Sequence, residues 1–130
     1  MKKRNLFLLL IGMSLSIPLQ WLFPQLSNNP AAAGVLGQTD YITKTTGNGT
    51  MKLNGPNGIA VDPTTGKVFV VDRGNHRVLR WSSADALVSG SAAEAVLGQP
   101  DFTTITSGVT ASKFNTPINC TVDNAGRLWV

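Results

Sequence analysis

Val35-Leu36-Gly37-Gln38-Thr39-Asp40-Tyr41 returns as Val96-Leu97-Gly98-Gln99-Pro100-Asp101-Phe102, 61 residues further along the chain. The same offset relates Leu53-Asn54 to Phe114-Asn115, Pro56 to Pro117, and Val61-Asp62 to Val122-Asp123. After one deletion in the following turn, Gly66-Lys67-Val68-Phe69-Val70 recurs as Gly126-Arg127-Leu128-Trp129-Val130. Apolar residues replace apolar ones, aromatics replace aromatics, and Arg replaces Lys. A fixed period carried by several blocks marks a repeat architecture, whose units bury their faces against one another.

Within one unit the strand signals are short and regularly spaced. Gly58 to Asp62 is an apolar stretch closed by the turn Pro63-Thr64-Thr65-Gly66. Lys67 to Asp72 is rich in β-branched and aromatic residues. Arg73-Gly74-Asn75 turns the chain into a third strand, His76 to Trp81. A fourth, Ala95 to Gly98, follows the Ser/Ala-rich segment Ser82 to Ala93. Val68, Phe69, Val70 and Val71 are consecutive, whereas a sheet with one wet face would alternate. Both faces of that strand are therefore expected to be buried, as in a stack of small four-stranded sheets. The expected fold class is all-β: antiparallel four-stranded blades of a β-propeller, about one and a half of them. A two-sheet sandwich would leave the period unexplained. The Gly/Thr/Ser-rich stretches Thr39 to Asn54 and Thr103 to Asn115 fall at equivalent points and are expected to form a loop face suited to binding.

Gly55-Pro56-Asn57-Gly58-Ile59-Ala60-Val61-Asp62, followed by Gly66 to Leu79 with Asn75-His76-Arg77 inside it, resembles an NHL repeat. Arg77 stands where the Leu of the Asn-His-Leu signature would be. The second unit keeps Pro117, Val122-Asp123 and Gly126 to Val130, and the Val-Leu-Gly-Gln-x-Asp-aromatic block resembles a spacer of exported bacterial proteins of this type. The resemblance covers residues 35–130, with a first unit at about 35–95 and an incomplete second at 96–130. It implies a β-propeller that serves mostly as a binding platform. Some relatives are sensors or RNA binders, and a few related propellers are lyases or lactonases. A single blade leaves faces and edges bare. The chain is accordingly expected to be a piece of a larger propeller, and to associate with itself if made at this length.

The chain of 130 residues is 42% hydrophobic and 14% charged, which suits a folded domain. Its net charge of +4 is misleading, because Lys2, Lys3 and Arg4 supply three of the eleven basic residues. Beyond residue 33, eight basic residues face seven acidic ones, which is no footprint for nucleic acid. The basic start runs into an apolar stretch, Leu6 to Phe23, and Ala31-Ala32-Ala33 has the small residues of a cleavage site. Residues 1–33 read as a cleaved export signal, or else as an uncleaved membrane anchor, and residues 34–130 as the exported part.

The lone histidine, His76, is expected to be a turn residue whose ring bonds the hairpin, since a general base needs partners that do not appear. Asp72 and Arg77 flank the same turn and are expected to pair across it, weakly if exposed. The recurring Asp40, Asp62, Asp101 and Asp123 read as turn caps and not as calcium ligands. Cys120, the single cysteine, reads as a small apolar residue in a strand. No Walker loop, nucleophile elbow or zinc spacing is present, so neither cofactor nor metal is expected. Two functions follow as expectations. The first is a non-catalytic extracytoplasmic module binding a protein or glycan, with Arg73 and Asn75 as the exposed contact candidates. The alternative is the first blade of an exported propeller enzyme, a lyase or hydrolase, whose active site lies in other blades.

Overall fold

The computed structural model describes residues 31–130. The signal or anchor segment expected over 1–33 lies, except for its last three residues, outside the described residues. Among the described residues no helix is long and apolar enough to cross a membrane.

Four strands form one antiparallel meander: β1 (Pro56–Val61), β2 (Val68–Asp72), β3 (Arg77–Trp81) and β4 (Ala95–Leu97). A second, two-stranded sheet joins β5 (Thr121–Val122) to β6 (Leu128–Trp129). The period survives in the register. Ala60 pairs with Phe69 and Val61 with Val68 in the first sheet, and Thr121 pairs with Trp129 and Val122 with Leu128 in the second. This is the propeller-like blade arrangement that the spacing predicts, begun twice.

Details at the strand ends depart from the sequence reading. The turn Arg73–Asn75 is one turn of 3-10 helix, and the third strand starts at Arg77 because His76 takes a left-handed conformation (φ 54°). The first strand starts earlier, at Pro56, with an irregularity between Pro56 and Ile59. Cys120 is buried just before β5 and not within it.

Every residue of β2 is buried, so both faces of this strand are covered. Alternation along the strands sends the side chains into two cores. Val68, Val70, Leu79 and Trp81 face Leu53 and Ala93, with Leu36, Leu87, Val96 and Phe102 at the margin. Phe69, Val71 and Val78 face the other way, onto Cys120, Phe114, Val122 and Leu128 of the second unit. Burial of each such Val or Leu contributes roughly 1.5–3 kcal/mol. The second core is thus an interface between repeat units.

The loops repeat as faithfully as the strands. Gly47 N–H donates to Leu53 O at 3.2 Å, and Gly108 N–H donates to Phe114 O at 3.1 Å. Lys52 Nζ and Lys113 Nζ each lie 3.3 Å from a threonine hydroxyl, that of Thr45 and of Thr106. Gly98 shows why the repeated block needs glycine at its third position. Its φ is +84°, and a Cβ there would run into the Phe114 ring.

Candidate functional site

The tight turn between β2 and β3 and the two period-related loops form one surface, held from inside by Asp72 and Arg77. Asp72 Oδ2 accepts from Arg77 Nε and from Asn75 Nδ2, each at 2.7 Å, while its Oδ1 accepts from Asn54 N–H at 2.7 Å. Arg77 then reaches outward. Its Nη2 donates to Gly49 O and Lys52 O, both at 3.0 Å, and its Nη1 donates to Phe102 O. Both side chains are fully buried. The pair expected to be a weak surface contact is instead a buried clamp with its charges fully engaged, the condition under which a buried ion pair is tolerated. One guanidinium ties the first loop to the second, because its planar fork presents several donors at once.

Asn75 is likewise drawn inward. It is 3% exposed, and its Nδ2 donates to Gly47 O at 2.8 Å as well as to Asp72. The expectation that Asn75 is an exposed contact residue is therefore corrected: a side-chain amide that satisfies both a buried carboxylate and a loop carbonyl is structural. Arg73, the other candidate, is exposed, and among the described residues its guanidinium makes no ion pair. The His76 ring does not bond its own hairpin. Its Nδ1 accepts from Thr116 N–H at 3.0 Å, joining the turn to the second unit.

Gln99 completes the link between units. Its Nε2 donates to Asn75 O at 3.3 Å, His76 O at 3.2 Å and Thr106 O at 2.9 Å. Its repeat counterpart Gln38 donates to Thr45 O at 3.1 Å. The recurrence of the glutamine in the repeated block was the available signal, but its acceptors lie across the turn and no local pattern points to them.

The four periodic aspartates cap turns. Asp40 Oδ1 accepts from Ile42 and Thr43 N–H, and Asp101 Oδ1 from Thr103 and Thr104 N–H. Donation by Thr104 and Thr103 holds the Asp101 carboxyl down at about 2. The Trp129 indole N–H, then the Arg127 backbone, hold Asp123 at about 2 as well. The Thr65 hydroxyl lowers Asp62, and the Thr43 amide lowers Asp40. Burial pushes the Cys120 thiol up, away from the reactive thiolate.

Two features of this surface are open to a ligand. A cavity of about 280 Å³ in the first loop is lined by Gln38, Thr39, Thr43, Thr45, Met51 and Lys52, whose exposed surface there is mostly apolar. Tyr41, Ile42, Ile105 and Val109 stand exposed on the same pair of loops, Ile42 at 86% and Val109 at 87%. Neither was singled out from the sequence.

The first three strands, the turn and its asparagine–histidine pair lie within one match to a family model. Residues 53–81 match the NHL repeat. The NHL segment thus begins at Leu53, on the floor of the first core, and ends with β3. It contains the whole Asp72–Arg77 clamp, while Gln99 and the second loop that Arg77 holds lie beyond it. No curated protein matches the chain.

Proposed function

We propose that this chain is a non-catalytic, extracytoplasmic binding or scaffold module built of NHL repeats, one part of a larger propeller, whose loop face takes a glycan or a protein segment. The observation that carries this reading is the use of the polar groups at the turn. Asp72, Asn75, Arg77, His76 and Gln99 are engaged in holding backbone, and this rigid frame presents the loops outward. Rigid scaffolds that position variable loops are the usual basis of recognition. The first-loop cavity approaches the size of a small ligand site, and its mostly apolar walls with a few threonine, glutamine and lysine groups suit an amphipathic ligand such as a sugar face or a peptide side chain. Arg73, exposed on the turn and in no ion pair among the described residues, offers a separate donor fork. Export rests on the basic and apolar start of the sequence.

The test is a glycan array probed with the purified chain, followed by titration of any hit. Saturable binding that falls at least tenfold in both Lys52→Ala and Arg73→Glu variants, with unchanged circular dichroism, supports the reading. Turnover of a probe, or binding indifferent to both variants, counts against it. Cell fractionation tests export separately, since the chain should be found outside the cytoplasm.

A further inference from the structure

Among the described residues, two that are not glycine take a left-handed backbone: His76 (φ 54°) and Thr116 (φ 47°). One hydrogen bond joins them across the junction between repeat units, Thr116 N–H donating to His76 Nδ1 at 3.0 Å. A left-handed backbone is disfavoured for a residue with a Cβ and persists where surrounding contacts hold it. One period earlier the place of Thr116 is taken by Gly55, with φ +61°. The backbone shape therefore belongs to the repeat, and threonine adopts it here at a conformational cost. His76 is fixed through its own backbone on both sides. Its N–H donates to Arg73 O at 3.1 Å and its carbonyl accepts from Gln99 Nε2 at 3.2 Å, so a firm turn aims the ring at Thr116.

The geometry points to a pH-sensitive latch between the two repeat units: the His76–Thr116 bond closes when the imidazole is neutral and opens when it is protonated. A backbone N–H can only donate, so Nδ1 offers a lone pair and the ring proton sits on Nε2. A proton taken up at Nδ1 removes that lone pair and sets two donors against each other. Imidazole ordinarily changes charge between about pH 5 and pH 8, and His76 is only half-buried, so solvent protons reach it. The strands packed on this turn are β1 and β3. β1 carries no titratable side chain, and on β3 Arg77 is paired with Asp72 and Arg80 with Glu94. The other charged groups are Arg73 on the turn itself, and Asp101 and Lys113 in the segment of the second unit that bears Gln99 and Thr116. His76 makes no ion pair with any of them among the described residues. Opening deprives the strained Thr116 of the partner that holds it. The loop from Thr103 to Asn115 ends beside Thr116 and is loosened there, while Arg77 and Gln99 still hold its beginning through Phe102 O and Thr106 O. Both partners lie in units already in contact within the chain, and the latch stands whether or not the loop face binds a ligand.

Solvent exchange of the Thr116 amide, followed by NMR in the full chain and in a His76→Asn variant, tests the latch. Asparagine tolerates a left-handed backbone, and its Oδ1 accepts a hydrogen bond without titrating in this range. Protection is read against the exchange rate of an unstructured peptide at the same pH. In the wild-type chain it should fall roughly fivefold from about pH 8 to about pH 5, the worth of one hydrogen bond. The midpoint of that fall should coincide with the titration of the His76 Cε1 proton. In His76→Asn the protection should change by less than about twofold over the same range. Constant protection in the wild-type chain would overturn the proposal, and so would an equal fall in both chains. A Thr116 amide that is unprotected at both ends of the range would mean that the bond is not formed, which also overturns it. If the variant fails to fold, the wild-type titration decides, since midpoints of Thr116 and His76 that do not coincide contradict the latch.

Discussion

Arg77 Nε lies 2.7 Å from Asp72 Oδ2, and neither side chain has any exposure to solvent. The pair spans the turn between the second and third strands, and Arg77 extends it to carbonyls of two loops a period apart. Removing the guanidinium would strand a buried carboxylate and release both loops at once. Arg77→Met is expected to lower stability by about 3–5 kcal/mol. Arg77→Lys should recover little of it, because one ammonium cannot meet acceptors spread around a planar fork. Urea denaturation followed by circular dichroism measures both.

Gln99 and Gln38 occupy the same place in the repeat but differ in what they hold. Gln99→Ala would leave the carbonyls of Asn75, His76 and Thr106 without this donor, at a cost of about 1–3 kcal/mol. Gln38→Ala loses a single exposed bond and should stay within about 0.5 kcal/mol of the parent. Comparable losses from both would contradict the assignment of Gln99 to the junction between units.

The fold was legible where the signal was local and periodic. The unbroken apolar run Val68 to Val71 announced a strand buried on both faces, and the 61-residue offset announced a second unit. The clamp was misread because adjacency in sequence showed that Asp72 and Arg77 could pair but not that loops would close over them. The Asn75 amide was misjudged for the same reason, since its partner Gly47 is remote along the chain. The loop cavity was not visible at all. Its walls, Gln38, three threonines, Met51 and Lys52, are residues common in any solvated loop, and only the packed loop gathers them.

Glycine at position 98 is required twice over, by its left-handed backbone and by the Phe114 ring. Gly49 shares the backbone demand (φ +89°) but has nothing within 4 Å of its missing Cβ. Gly49→Ala should therefore cost about 1–2 kcal/mol. Gly98→Ala should exceed it by roughly 1–3 kcal/mol of overpacking. Paired thermal melts give the difference directly.

Asp101 and Asp123 titrate at about 2, below their ordinary 3.8, because donors at each turn favour the ionised form. Folding lowers both values, so their contribution to stability is present above about pH 4 and is lost as the pH falls through about 2. Carboxyl carbon shifts followed by NMR should show both midpoints near 2. Midpoints at the ordinary value would mean that the two turns are not formed in solution.

The claim on which the rest depends is that one repeat unit packs face to face on the next. Nuclear Overhauser contacts in the full chain test it most directly, read from the methyl groups of Val71 and Val78. The packing described here predicts cross-peaks from these methyls to the Phe114 ring and to the Cys120 β-protons, 36 or more residues away in sequence. Cross-peaks confined to the first unit, with Phe114 and Cys120 showing only local contacts, would contradict it.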